Sequence, residues 1–206
     1  MSSTGTGVRR GRPPSGGREQ ILAATLALLR ERGIARLTTR EVAQRAGVSE
    51  GSVFYHFGDR FGLMRAVFTD SLSPLVDVGT AGLRGDDVRG TLEAFSDGVQ
   101  EFLRTGLDVL MAAQADVDLR ESLVGFLADN DYGPHRGIAA VARYLADQQA
   151  AGAVRADVDP QVIAHLVVSD AMQRSAQPKL VNHAKGTPSR KAFFDTLMTM
   201  LAVTGG

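Results

Sequence analysis

The 206-residue chain contains no cysteine, which excludes disulfides and thiolate metal centres. No stretch approaches the roughly eighteen consecutive apolar residues of a membrane span, so none is expected. The arginines near the N-terminus are followed by no apolar run, so a secretory signal is not expected and the cytoplasm is the default location. The four histidines, His56, His135, His165 and His183, lack the His-Glu-x-x-His spacing that sets two imidazoles on one helical face around a metal. Gly47-Val48-Ser49-Glu50-Gly51 has the Gly-x-Ser-x-Gly spacing, but it joins two short helical segments and lacks the preceding strand that a nucleophile elbow needs; no strand pattern precedes a phosphate-cradling glycine loop either. Asp129, Asp131 and His135 are close in sequence, but a polar connection between helices accounts for them. No metal and no cofactor are expected, and an all-helical enzyme is a remote alternative.

What is present divides unevenly. The net charge of zero conceals ten arginines against five acidic residues in the first sixty positions, with the reverse excess beyond them. A basic end joined to an acidic body points to a polyanion at that end. Residues 1–17 are Gly, Ser, Thr, Pro and Arg with Val8 as the only sizeable apolar side chain. Such a basic arm cannot bury a core and is expected to be disordered alone.

From Arg18 the pattern turns helical. Ile21, Leu22, Leu26, Leu28 and Leu29 form one broad apolar face that stops at Gly33. Thr38 with Glu41 three residues on reads as a capping box, opening a short helix with Val42, Ala43 and Ala46 inward and ending at Gly47. A second short helix runs from about Glu50 to Phe57, and Asp59 can cap a longer one carrying Leu63, Met64, Val67 and Phe68. Two short helices joined by a Gly-containing turn are the sequence form of a helix-turn-helix. Aromatic residues make up 6% of the chain, yet three of the eleven residues of GVSEGSVFYHF, Gly47 to Phe57, are aromatic. On a helix Val53 and Phe57 share one face, while Gly51, Ser52, Tyr55 and His56 lie opposite. A hydroxyl, a phenol and an imidazole beside a smooth helix start suit phosphate and base-edge contacts in a major groove.

Leu37 to Phe68, LTTREVAQRAGVSEGSVFYHFGDRFGLMRAVF, resembles the DNA-binding domain of the TetR/AcrR family of transcriptional regulators. The agreement includes Leu37-Thr38-Thr39, Val42-Ala43, Ala46-Gly47-Val48-Ser49, Gly51-Ser52, Tyr55-His56-Phe57 and Arg60. The resemblance implies that Thr39 and Arg40 contact backbone and base, that Gly51, Ser52, Tyr55 and His56 belong to the recognition helix, and that Arg60 clamps a phosphate. Arginine can also take guanine O6 and N7 as a bidentate pair, an independent reason to single out Arg40. The chain departs from the family pattern at Phe54, where tyrosine is frequent, and at Gly58 and Phe61. Ahead of the motif, Arg9-Arg10-Gly11-Arg12-Pro13-Pro14 resembles the core of an AT-hook, which implies minor-groove contact by Arg9, Arg10 and Arg12.

The remainder reads as helices without repeats. Pro74 and the run from Gly79 to Gly85 are expected to break the chain. Val88 to Leu103 reads as one helix, Leu107 to Ala115 and Leu119 to Ala128 as shorter ones, and the stripe of Ile138, Val141, Tyr144 and Leu145 as another. Asp159-Pro160 and Thr187-Pro188 each pair a capping residue with a proline suited to a first helical position, opening helices over about 160–176 and 188–203. The loop from Gly152 to Pro160 is similar to the family's entry to its penultimate major helix. The expected architecture is all-α: a basic arm (1–17), a three-helix helix-turn-helix DNA-binding domain (18–66), and a helical ligand-binding and dimerisation domain (67–206).

The resemblance further implies a homodimeric repressor on a palindromic double-stranded DNA operator, released by a small apolar or amphipathic effector. An activator, or a constitutive DNA-binding protein without a ligand, is the alternative. Candidate cavity walls are Phe95, Val99, Phe102, Leu110, Met111, Phe126, Leu127 and Tyr144, with Gln114, Tyr132 and Arg136 as polar anchors. Candidate dimer contacts are Val162, Leu166, Phe194, Leu197, Met198 and Leu201, on faces too wide for one-sided packing.

Overall fold

The computed structural model describes residues 17–32 and 37–203 of the chain. The proposed arm with Arg9, Arg10 and Arg12, and the helix stop at Gly33, lie outside the described residues. Those described are helical, with no strand among them: α1 (Gly17–Arg32), α2 (Thr39–Ala46), α3 (Glu50–Phe57), α4 (Arg60–Ala81), α5 (Val88–Ala113), α6 (Val117–Asp129), α7 (Pro134–Ala150), α8 (Pro160–Val181) and α9 (Arg190–Leu201). They form two compact units that meet in sequence between Leu63 and Met64.

The first unit is built on a small core. Ile21, Leu22 and Leu28 of α1 bury with Leu37, Val42 and Val53. The caps expected from the sequence hold the short helices in place. Thr38 accepts from the Glu41 N–H at 3.2 Å and donates its own hydroxyl to the Glu41 carboxylate. Gly47 ends α2 in the left-handed region at φ 68°, a conformation that glycine adopts without a Cβ penalty. Ser49 accepts from the Ser52 N–H at 3.2 Å to start α3. Asp59 accepts from the Gly62 N–H at 2.6 Å to start α4.

The second unit surrounds a larger core of α5, α7, α8 and α9, with Leu92, Val141, Ile163, Val167 and Phe194 at its centre. Several helix boundaries differ from the sequence reading. Pro74 does not break α4, which runs on to Ala81; the break comes within the expected run from Gly79 to Gly85, at Gly82, whose φ of 73° provides the left-handed turn. A helical proline forfeits one backbone bond, whereas glycine makes leaving the helix easy. The expected helices 88–103 and 107–115 are one helix, α5. Gly106 within it is a buried notch: a Cβ there would meet the Phe102 ring at 2.6 Å. Asp159 caps α8 as expected, accepting from the Gln161 N–H at 2.8 Å. That helix continues through Pro178 to Val181 and closes at Asn182 in the left-handed region. Thr187 does not cap α9. Its hydroxyl donates to Gln177 at 2.6 Å, and Ser189 caps instead by accepting from the Ala192 N–H.

The connection before α8 is held by local bonds. Val154 is buried, the Gln149 amide donates to the carbonyls of Arg155 and Val158, and Arg155 pairs with Asp157 in a two-point contact at 2.5 Å. That pair holds the Asp157 carboxyl below its ordinary value, chiefly through the guanidinium hydrogen bond.

Candidate nucleic-acid interface and effector cavity

Two places carry chemistry, one in each unit. In the first, α2 and α3 form a fixed corner. The Thr39 hydroxyl donates to the Glu50 carboxylate at 2.6 Å, tying the start of α2 to the start of α3. Arg32 of α1 reaches Glu41 at 3.2 Å, and Arg45 of α2 takes Glu31 of α1 in a two-point contact. The inner side of α3 is anchored by Val53, 1% exposed, and by Phe57, whose ring lies 5.8 Å beneath the Arg18 guanidinium.

The other side of α3 is bare. Tyr55 is 81% exposed and Phe54 48%. Gly51 is exposed, while Ser52 and His56 are half-buried. The His56 ring stands edge-on to Tyr55 at 5.1 Å, and Gly17 at the start of α1 lies close behind it. Arg40 is exposed on the first turn of α2 and Arg60 is half-buried at the start of α4. The corner therefore brings Thr39, Arg40, Gly51, Ser52, Tyr55 and His56 into one unit. The part that sequence patterns do not reveal is Glu50, which sits between the two helices and occupies the Thr39 hydroxyl proton.

In the second unit a cavity of about 240 Å³ opens among α4, α5, α6, α7 and α8. Phe95, Val99, Phe102 and Leu110 of α5 line it, with Leu127, Tyr132 and Arg136. Met111, Gln114, Phe126 and Tyr144 lie outside that lining. The buried Tyr144 sends its hydroxyl to the Gly85 carbonyl at 2.9 Å, Met111 and Gln114 are exposed, and the Phe126 ring packs against Tyr132 at 5.8 Å. Phe68, Leu72 and Leu75 of α4, and Val168 and Met172 of α8, complete the wall. Sequence reasoning missed these because their stripes read equally well as core.

The candidate dimer residues separate into two groups. Val162 and Leu166 of α8 are 54% and 38% exposed. Phe194, Leu197 and Leu201 are buried in this chain's own core, and Met198 is half-buried against it. The wide stripe of α9 is covered from within the chain, so Phe194, Leu197 and Leu201 offer no outer face to a partner.

Among the described residues no group of three or more His, Asp and Glu is placed to hold a metal ion. No described helix is long and apolar enough to cross a membrane.

A capped two-helix corner with a bare second helix, followed by a helical body with an apolar cavity, defines a helix-turn-helix regulator fold. Residues 21–67 match the family of bacterial regulatory proteins of the tetR type. The chain is 39% identical over 84 residues to the HTH-type transcriptional regulator BetI of Stenotrophomonas maltophilia, a match covering 39% of this chain and 42% of that protein. The chain thus spans less than half the length of that curated relative. A TetR transcription regulator from Haloarcula marismortui shares the fold with a TM-score of 0.69 at 18% identity, over 92% of this chain and all of that one. The SmeT–triclosan complex does so with a TM-score of 0.65 at 19% identity, over 93% of this chain and 94% of that one. The likeness to the tetR family of bacterial regulatory proteins thus rests on residues 21–67, and the fold is shared over most of the chain.

Proposed function

We propose that this protein is a homodimeric transcriptional repressor that binds a palindromic operator and is released from it by a small, largely apolar effector. The observation that carries the DNA-reading part is the outer side of α3, where Tyr55 is 81% exposed on a helix anchored by Val53. A large phenol left in water on a short helix is explained by a surface it meets. Gly51 supports the same reading. A Cβ there would meet nothing closer than Ser49 Oγ at 3.8 Å, so packing within the unit does not demand glycine. Close approach by a nucleic-acid backbone would.

Arg40 supplies the bidentate donor for guanine, and Ser52 and Tyr55 supply neutral donors for phosphate or base edges. With its proton on Glu50, the Thr39 hydroxyl meets DNA as an acceptor or through water. The exposed Val162 and Leu166 face of α8 is the proposed contact with a second copy, which would set two recognition helices about 34–36 Å apart. The cavity gives the effector its place, and a small molecule, triclosan, is named in the complex of the fold neighbour SmeT. Helix α4 gives the coupling: it begins three residues after α3 ends and carries Phe68, Leu72 and Leu75 into the cavity wall. A ligand that favours one packing of α4 would shift the population away from the DNA-binding arrangement.

Selection of bound fragments from a random DNA pool tests this reading. The expected yield is an inverted repeat with half-sites one helical turn apart. Enrichment of single, unrepeated sites would overturn the dimer, and no enrichment at all would overturn DNA reading.

A further inference from the structure

The cavity wall is apolar along α4, α5 and α8, and its polar side chains come from the segment around the start of α7. Among the described residues lining it, Arg136 is the only charged one, and Tyr132 adds the only side-chain hydroxyl. Arg136 is exposed as well as lining the cavity. Other guanidiniums of the same unit are committed to carboxylates: Arg174 to Asp170 at 2.6 Å, Arg89 to Asp195 at 2.9 Å, and Arg190 to Asp97. Arg136 has no such partner among the described residues. Asp131, in the connection before α7, faces His135 at 3.1 Å instead. The start of α7 also lines the cavity, and Gly133 there gives no side-chain cap, so the local field favours negative charge.

We propose that the effector is an amphipathic organic anion, with its apolar body among the phenylalanines of α4 and α5 and one carboxylate on Arg136. This rests on the reading of the cavity as the effector site. A guanidinium offers parallel N–H donors that match a carboxylate and gain from its charge. The cavity's volume of about 240 Å³ suits an apolar body of medium length. A cation of the same shape would meet Phe68, Phe95 and Phe102 but also the like charge of Arg136. A neutral alcohol would fill the walls and leave the guanidinium to water.

Calorimetric titration of the full chain with octanoate, 1-octanol and octylamine separates these cases, with release of bound operator as a second readout. Octanoate is expected to bind roughly ten-fold more tightly than octanol, as for a charge-assisted contact at a partly solvated site, and octylamine most weakly. Arg136→Gln is expected to remove the preference for octanoate while leaving octanol binding within about two-fold, and Arg136→Lys to restore part of it. Val99→Phe, which fills the cavity, is expected to weaken all three.

Equal binding of octanoate and octanol, or an Arg136→Gln variant that keeps the preference, overturns the anion assignment but leaves the cavity as an effector site. Tightest binding by octylamine overturns it in favour of recognition by the rings. Binding by none of the three contradicts both readings. Tight octanoate binding that leaves operator affinity unchanged upholds the anion site and overturns ligand release.

Discussion

Tyr55 and Phe194 are both aromatic residues on amphipathic helices, yet one is 81% exposed and the other fully buried. Sequence spacing places both on a particular helix face, but it does not say what covers that face. For Tyr55 the small residues around it, Gly51 and Ser52, hint at an open surface. For Phe194 nothing local distinguishes a face packed into the chain's own core from one packed on a second chain, and the expected dimer contact is core. Phe194→Ala is accordingly expected to cost about 3–5 kcal/mol of unfolding free energy, read from urea denaturation. A change under about 0.5 kcal/mol, the range of ordinary surface substitutions, would remove Phe194 from the core. Arg40, exposed at the start of α2, has the opposite expectation. Arg40→Ala leaves the midpoint of unfolding in place and loses about 1–3 kcal/mol of specific DNA binding, relaxing preference at one base of each half-site. Equal weakening on every sequence would make Arg40 a phosphate contact.

Helix boundaries were legible where the signal is local. The caps at Thr38, Asp59 and Asp159 were readable because a side chain satisfies a backbone group two or three residues away, and the stop at Gly47 because glycine takes the left-handed turn. The ends of α4, α5 and α9 depend on distant partners. Gly106 reads as a weak point until the Phe102 ring is seen in the space it leaves, and Thr187 reads as a cap until Gln177 takes its hydroxyl. The eight-residue α3 is too short to be stable by propensity alone, so its cap matters. Ser49→Ala is expected to destabilise the first unit by about 1 kcal/mol. Hydrogen exchange of the α3 amides checks this: faster exchange there, and slower effects elsewhere, is the predicted pattern, whereas uniform protection would show the cap to be dispensable.

At the scale of the whole molecule, the charge division of the sequence and the bare α8 face both bear on assembly on DNA. Val162→Glu with Leu166→Glu, two exposed positions four residues apart, is expected to give folded monomers in sedimentation that bind a palindrome poorly. An intact dimer would put the subunit contact elsewhere. Removal of residues 1–16 deletes Arg9, Arg10 and Arg12 from each chain. If all six arginines of a dimer neutralise phosphates, the slope of log affinity against log salt becomes shallower by about 5. Half-site preference is expected to survive, because the helix-turn-helix begins later. An unchanged slope would leave the arm without phosphate contacts.

Whether the outer side of α3 reads DNA is tested by the ratio of affinities for a selected operator and a scrambled duplex at one fixed salt concentration. The ratio is compared between the wild-type chain and Ser52→Ala/Tyr55→Ala, two substitutions on the side opposite the Val53 anchor. An unchanged melting temperature and a ratio reduced by roughly ten-fold or more are expected, since the lost contacts distinguish one sequence from another. A double variant that keeps both its stability and the wild-type ratio would contradict DNA reading by α3.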